Sequence, residues 1–462
     1  MKKIIMFICV IATLMFTNNA YAADTVYSLN KYDEEKFETI IDSYDKDMKQ
    51  DGFIAAGTIL KETNKIDEEE YDDYQVILVK YDVTGKVKWT FNYGKTDVDQ
   101  LDSLEYTYDQ ENKINGYLIV MNKSNDIEEE KSNTSVFVKV DLNGKLVEEK
   151  EILLEENSKI NKIIAVIDQD KNLNSYIAIG KSDYPFIAKY DANLNLVFVK
   201  KYTLENTIFN DISIVRNQKT IDSYVISVTE NKEKIINKVI RYDLEGNEVS
   251  TLTTNEYTHA KIQFLQDNNG ILIYGLTNQV KLNNLDSPTY YLIKYNVENN
   301  IEWETIGNIP ISKNNEVKLI NNHNEYLIMY TNENDKSNEI VKIDFEGNIK
   351  NKVKKIKNDY YNITNFNTYN NTIYFIGQIT CPEDETCDYD SNSLFIISDQ
   401  DKVIEVQQKE ASSISLVTIL SIVAIVLIIL VRKKTKEKKN KKLKEKNKKK
   451  KRLKWTLFWT LY

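Results

Sequence analysis

Residues 79–91 read VKYDVTGKVKWTF. The apolar run Val76-Ile77-Leu78-Val79 leads into Lys80-Tyr81-Asp82, Gly85 follows three residues after the aspartate, and a second extended stretch runs from Lys86 to Tyr93. Apolar residues without alternation suit a strand covered on both faces. An aspartate can accept hydrogen bonds from backbone amides two residues on, and glycine supplies the positive φ of a three-residue hairpin with a bulge. The stretch is therefore read as a strand, a tight turn and a second strand.

The same grammar recurs at Asp141 with Gly144, Asp191 with Leu194, Asp243 with Gly246, Asn296 with Asn299 and Asp344 with Gly347, with a degenerate copy at Asp399. The intervals are 59, 50, 52, 53, 48 and 55 residues. Leu194 departs from the pattern, so the third turn is expected to be built differently. Upstream of the turns lie further hairpins with polar tips, such as Asp109 to Gly116 and Gln266 to Gly270. Four antiparallel strands in each of seven units is the pattern of propeller blades. The expectation is an all-β ectodomain, a seven-bladed β-propeller of four-stranded antiparallel blades, with the seventh unit at residues 359–406. A helical repeat is the weaker alternative, because the units are rich in Tyr, Ile, Val and Thr and broken by frequent turn signals.

The stretch 79–91 resembles the pyrroloquinoline-quinone-type propeller repeat, in which Asp, Gly and a downstream Trp recur in each blade. Trp303 after Asn296 and Phe198 after Asp191 keep an aromatic at the offset of Trp89 from Asp82, without the glycine. The quinone-binding enzymes of that type have adjacent cysteines and a metal-bound cofactor, and this chain has no Cys-Cys pair. The resemblance therefore implies a non-catalytic propeller of the bacterial cell envelope.

The two ends carry the address. Lys2 and Lys3, the apolar run Ile4 to Phe16 and the small-residue pattern Ala20-Tyr21-Ala22 form a secretory signal over residues 1–22. The ectodomain occupies 23–410. Ala411 to Val431 is uncharged and dominated by Leu, Ile and Val, long enough to span a hydrocarbon core as one transmembrane α-helix, and Arg432-Lys433-Lys434 follows as a stop-transfer signal. Residues 432–462 form a basic tail, with 16 Lys and Arg against two Glu between Arg432 and Lys454. With +14 in that tail and +2 in the leader, a whole-chain charge of −9 leaves −25 on the ectodomain. The expected protein is a single-pass cell-membrane protein, ectodomain outside and C-terminus cytoplasmic, its tail held near anionic inner-leaflet lipid rather than nucleic acid. The segment 455–462, with two Trp, a Phe and a Tyr, gives no reading of its own.

Few residues suggest chemistry. His259 and His323 fall in non-equivalent repeats, and no Ser-His-Asp trio or zinc-ligand set stands out. Cys381 and Cys387, the only cysteines after the leader, are expected to form a disulfide in an oxidising compartment. The nearby run Asp388-Tyr389-Asp390-Ser391-Asn392 has the start of a calcium loop but neither its Gly nor its closing Glu, so no cofactor is expected.

The acids are concentrated in the connections between second and third strands. The first unit has Asp67, Glu68, Glu69, Glu70, Asp72 and Asp73, and the second has Asp126, Glu128, Glu129 and Glu130. The sixth has Glu333, Asp335 and Glu339, and the seventh has Glu383, Asp384, Glu385, Asp388 and Asp390. In a closed ring these connections form an acidic crescent on one face, suited to a cationic partner or to solubility. The expected function is a membrane-anchored extracellular binding or scaffolding protein recognising protein or polysaccharide through one propeller face. The rival is a carboxylate-dependent glycoside hydrolase or lyase, which needs two carboxyls flanking a sugar.

Overall fold

The structure is a computed structural model that describes residues 25–406 apart from short stretches, the longest being 125–132 and 381–390. The first described strand is the short β1 (Thr25–Tyr27), and blades then follow in sequence order. Blade one is β2 (Glu34–Tyr44), β3 (Gln50–Ile66), β4 (Glu69–Asp82) and β5 (Val87–Tyr93). Blade two is β6 (Val98–Tyr108), β7 (Ile114–Ser124), β8 (Asn133–Asp141) and β9 (Leu146–Ile152). Blade three is β10 (Lys159–Ile167), β11 (Leu173–Lys181), β12 (Pro185–Tyr190) and β13 (Leu196–Lys201). Blade four is β14 (Thr207–Asn217), β15 (Thr220–Asn231), β16 (Ile235–Tyr242) and β17 (Glu248–Thr253).

Blade five starts with β18 (Tyr257–Leu265) and β19 (Gly270–Thr277). A small hairpin of β20 (Val280–Leu282) and β21 (Leu285–Ser287) intervenes before β22 (Tyr290–Asn296) and β23 (Ile301–Ile306) complete it. Blade six is β24 (Lys318–Asn322), β25 (Glu325–Thr331), β26 (Asn338–Asp344) and β27 (Ile349–Ile356). The last repeat supplies β28 (Tyr361–Tyr369), β29 (Thr372–Thr380) and β30 (Ser391–Asp399). Within each blade neighbouring strands are antiparallel, so the protein is an all-β seven-bladed propeller.

The seventh blade departs from the expectation that residues 359–406 form it alone. Its fourth strand is β1, which pairs antiparallel with β30 from Thr25↔Ile397 to Tyr27↔Phe395, while β31 (Glu405–Val406) runs parallel to β27 of blade six. β1 thus closes the ring by completing the blade that the last repeat begins. Glu35, 1% exposed, fastens the junction. Its carboxylate accepts the backbone N–H groups of Lys31 at 2.8 Å and Tyr32 at 3.0 Å on one side, and the amide (3.1 Å) and hydroxyl (2.8 Å) of Ser393 on the other.

The core lies between blades. Alternate residues of one strand point to opposite neighbours: Ile54 and Ala56 pack toward blade two, Phe53 and Ala55 toward blade seven. Both faces of the middle strands are therefore buried, which explains apolar runs without alternation such as Val76–Val79. Among the described residues there are seven apolar clusters, one across each of the seven blade junctions.

The repeated turns are built from the aspartate outward. Asp141 Oδ1 accepts the amides of Asn143 and Lys145, both at 2.8 Å, while Gly144 takes φ +78°. Gly85, Gly246 and Gly347 take φ between +78° and +84° in the matching turns. The third turn is not built differently. Leu194 adopts φ +60° with the same bonds, its N–H donating to Asp191 O at 2.9 Å and Asp191 Oδ1 accepting from Asn193 and Asn195. Left-handed backbone costs a leucine about 1–2 kcal/mol. Its side chain is 1% exposed in the cluster between blades two and three, and burial of that kind contributes about 1.5–3 kcal/mol in return.

A further demand on these turns comes from the preceding blade. Trp89 of β5 lies against the blade-two turn and donates its indole N–H to Leu142 O at 3.1 Å; Trp303 of β23 does the same to Phe345 O at 2.8 Å. In the blade-four turn Tyr202 donates its hydroxyl to Gly246 O at 2.7 Å, and across the closed junction Tyr27 donates to Thr84 O at 2.7 Å.

Candidate functional site

The innermost strands define the middle of the ring. In six of the seven, the pairing with the second strand shifts by an inserted residue: between Phe37 and Thr39, Leu101 and Ser103, Ile160 and Lys162, Phe209 and Asp211, Thr258 and Lys261, and Ile363 and Asn365. Such bulges bend a strand and re-aim the side chain that follows. That residue sits at one level in every blade, opposite Ala56, Val120, Ile179, Ser227, Tyr274 and Ile376; blade six puts Lys318 there, opposite Met329, without a shift. The level reads Thr39, Ser103, Lys162, Asp211, Lys261, Lys318 and Asn365, polar in all seven blades.

Five of these, Lys162, Asp211, Lys261, Lys318 and Asn365, line a cavity of about 300 Å3 together with Tyr274, Asn367 and apolar groups including Ile320 and Phe366. Asp211 is 2% exposed and saturated: it accepts the amides of Ile212 at 3.0 Å and Ile262 at 2.8 Å and the ammonium of Lys162, tying blades three, four and five together. Glu316, half exposed, faces two ammonium groups, Lys318 at 2.6 Å and Lys261 at 3.8 Å.

A second polar group lies toward the turn face. Asp42 accepts from Gln50 at 2.9 Å and Asn367 at 3.0 Å, and its pKa is raised because burial outweighs the bonds from the Tyr44 hydroxyl and Asn367. Glu105 accepts the amides of Tyr106 at 2.8 Å and Ala165 at 3.2 Å, and burial also pushes its carboxyl up. On the opposite side of the level from the turns, Asp102 is pushed up to about 6 by burial, against the pull of the Lys159 ammonium at 3.0 Å.

Of the acids expected to form a crescent, only some are among the described residues. Asp67, Glu68, Asp126, Glu128, Glu129, Glu130, Glu383, Asp384, Glu385, Asp388 and Asp390 lie outside the described residues, as do Cys381 and Cys387. Glu69 to Asp73 are not in a loop: they belong to β4, paired with β3 out to Ile66↔Glu69, with Glu70 opposite Lys65. Asp72 is exposed, and Asp73 lies 3.3 Å from the Lys61 ammonium. The sixth-unit acids are engaged within their own blade: Glu333 with Lys336 at 2.7 Å, Asp335 with Lys355 at 2.6 Å, and Glu339, fully buried, with Lys352 at 2.7 Å and the Tyr330 hydroxyl at 2.9 Å. Among the described residues no group of His, Cys, Asp and Glu is arranged to hold a metal ion, and no helix is long and apolar enough to cross a membrane; the run 411–431 lies outside them.

The inner level had a sequence signal of its own. Phe37-Glu-Thr-Ile40, Leu101-Asp-Ser-Leu104, Ile160-Asn-Lys-Ile163, Phe209-Asn-Asp-Ile212 and Ile363-Thr-Asn-Phe366 share an apolar, polar, polar, apolar order in five of the blades; Lys318-Leu319 of blade six keeps its second half, and blade five, Thr258-His-Ala-Lys-Ile262, departs from it.

No protein-family model and no curated protein sequence matches the chain. Among solved structures, the β-propeller domain of the Trilobed protease from Pyrococcus furiosus, described as having an open velcro topology, is 12% identical over 80% of this chain and 98% of that one, with a TM-score of 0.44. The polysaccharide lyase Uly1 is 10% identical over 80% and 91%, with a TM-score of 0.43. The periplasmic gluconolactonase PpgL of Pseudomonas aeruginosa is 10% identical over 68% and 84%, with a TM-score of 0.39. Likenesses at this level carry no argument about activity, and the fold rests on the blades themselves.

Proposed function

We propose that the protein is a membrane-anchored binding ectodomain that recognises protein or polysaccharide outside the cell, through the propeller face that leads into the central cavity. The observation that carries this reading is the polar level around that cavity: Lys162, Asp211, Lys261, Lys318 and Asn365, four of them at the same bulge, bring hydrogen-bonding and charged groups from five blades to one space. Concave sites with a few convergent polar groups on an apolar lining are where ligands are held. The leader, the run 411–431 and the Lys-rich tail supply the anchoring and orientation, and the tail favours anionic lipid over nucleic acid.

The hydrolase or lyase reading draws on Asp102, whose carboxyl burial pushes up to about 6, toward the range that suits a general acid. Its side chain is occupied by Lys159 and Asn122, which suits a structural role better.

The test is to immobilise the full chain in detergent micelles and present protein and glycan panels, assaying every retained glycan for cleavage. Retention without turnover supports the binding reading; turnover abolished by Asp102→Asn establishes the rival. Protease added to intact cells should remove the ectodomain and spare a tag after Tyr462, and loss of that tag without lysis would overturn the orientation.

A further inference from the structure

We infer that the outer groove between blades four and five is a docking site for a partner protein's tryptophan side chain, held flat against Arg241. The groove lies at the rim, apart from the central cavity, and its role does not depend on what that cavity binds. The ring itself shows what such a groove holds. In blade one Trp89 lies opposite Lys80, and in blade five Trp303 lies opposite Lys294. Each indole packs at a centroid distance of 6.1 Å against a tyrosine of the next blade, Tyr117 or Tyr326, and the lysine opposite it is buried. In blade four the matching position, opposite Arg241, is Ser250. In blade five the match to Tyr117 is Ile271: each follows a glycine that pairs with the last residue of the third strand, Gly116 with Asp141 and Gly270 with Asn296. Both rings are therefore missing at this junction, and the space is left as a groove whose lining includes Arg241, Ser250, Leu252, Ile271, Ile273 and Tyr295. Its cavity measures about 20 Å3, room for one water. Trp89 and Trp303 are themselves only partly buried, so an indole at this level covers an open groove rather than filling a closed cavity.

Charge complementarity selects the occupant. Blades one, two, three, five and six carry Lys80, Lys139, Lys189, Lys294 and Lys342 at the Arg241 position, so the arginine stands where the rings are missing. A guanidinium is planar and stacks on an aromatic ring, whose electron-rich face complements its charge. Arg241 Nε donates to Ser223 Oγ at 2.6 Å, which fixes the group in place, and stacking uses its flat face while its N–H groups keep their partners. Leu252, Ile271 and Ile273 add apolar walls on either side. An aromatic anchor seated among apolar groups beside an arginine is the composition of a protein-interface hot spot. The two indoles that the chain supplies to its own junctions specify tryptophan as the side chain that fits.

The experiment titrates the full chain in detergent micelles by calorimetry with two end-blocked tripeptides, Gly-Trp-Gly and Gly-Leu-Gly. The tryptophan peptide is expected to bind at least about fivefold more tightly than the leucine peptide. Ser250→Trp supplies the ring from the chain itself, so it should abolish that binding and melt at or above the parent's temperature. Partition of peptide into micelles is the same for parent and variant, and the difference between them reports the groove alone. Arg241→Lys, which restores the residue of the other blades, should weaken binding by about threefold or more in a protein that still unfolds cooperatively. If Ser250→Trp melts below the parent, Ser250→Leu takes its place as the block and the same outcomes are read from it. Equal binding of the two peptides overturns the inference, and so does a folded blocking variant or a folded Arg241→Lys variant that binds the tryptophan peptide like the parent. A parent that sediments as a dimer and becomes monomeric on blocking would give the groove to a second copy of the chain and overturn the partner reading.

Discussion

Gly144 and Gly246 occupy the same turn position with the same φ of +78°, yet their surroundings differ. A Cβ added at Gly144 would lie 2.6 Å from Cδ2 and 2.7 Å from Cε3 of Trp89, whereas at Gly246 the nearest atom is Lys200 Cδ at 3.4 Å. Gly246→Ala therefore faces the left-handed backbone penalty alone, about 1 kcal/mol. Gly144→Ala faces that penalty and must also push the indole aside, an overpacking cost of about 1–3 kcal/mol, with the bond from Trp89 to Leu142 O worth about 1 kcal/mol at risk. The expected losses are about 3 kcal/mol for Gly144→Ala and about 1 kcal/mol for Gly246→Ala. Urea denaturation of the propeller, followed by tryptophan fluorescence and circular dichroism, should show a midpoint shift roughly three times larger at 144. In a Trp89→Leu background the excess should vanish, leaving Gly144→Ala costing about as much as Gly246→Ala. Equal shifts in the native background would refute the idea that the preceding blade's tryptophan dictates glycine there.

Other outcomes follow from buried groups. Glu35→Ala strands four donors at the ring junction, which should cost about 3 kcal/mol or more and expose the segment around β1 to limited proteolysis before any other site; uniform resistance would mean that the clasp does not hold the ring. The Asp102 carboxyl is raised from 3.8 to about 6, so its contribution to stability is fully present below pH 3.8 and is lost as pH rises through 6, about 3 kcal/mol in all. Asp102→Asn should remove that loss, making the variant more stable than the parent at pH 7.5 but not at pH 3.5, and parallel stability profiles would contradict the assignment. Leu194→Gly relieves about 1–2 kcal/mol of backbone strain but deletes a buried side chain worth about 2–5 kcal/mol, so a net loss near 2 kcal/mol is expected in denaturant; a gain would show that strain outweighs burial.

How much of this was legible depended on whether a feature was local. The Asp-to-Gly turn is written within four residues and repeats, so seven units and their strand order could be read from Asp82, Asp141, Asp243 and Asp344. Leu194 misled because glycine is a marker of positive φ rather than its cause, and the burial that compensates the leucine comes from blade two, far away in sequence. The closure by β1 was illegible for a related reason. Three residues, Thr25 to Tyr27, pair with partners some 370 positions later, and nothing local marks them as the missing strand of a blade. The acids of the sixth unit misled as well: Glu339 looks like part of a charged rim until the fold buries it among Lys352, Tyr330 and Asn332.

The central cavity was missed because reading outward from the turn favours positions where residue type repeats, and its residues do not repeat. The physics separates the two cases. At the turn the backbone itself demands an acceptor at Asp and a left-handed residue three positions on, so the same letters recur. At the inner level six of the seven strands share only a bulge, and residues of different kinds occupy it: Ser103 accepts the Ile163 amide at 3.3 Å and sews two blades together, Asp211 sews three, and Lys261 shares one half-exposed carboxylate with the unbulged Lys318. Identity at that level is therefore free to be set by something other than folding. In a seven-fold ring, a level that keeps its polarity in every blade and its bulge in six of them, while changing its residues from blade to blade, is where one scaffold can be fitted to one particular ligand.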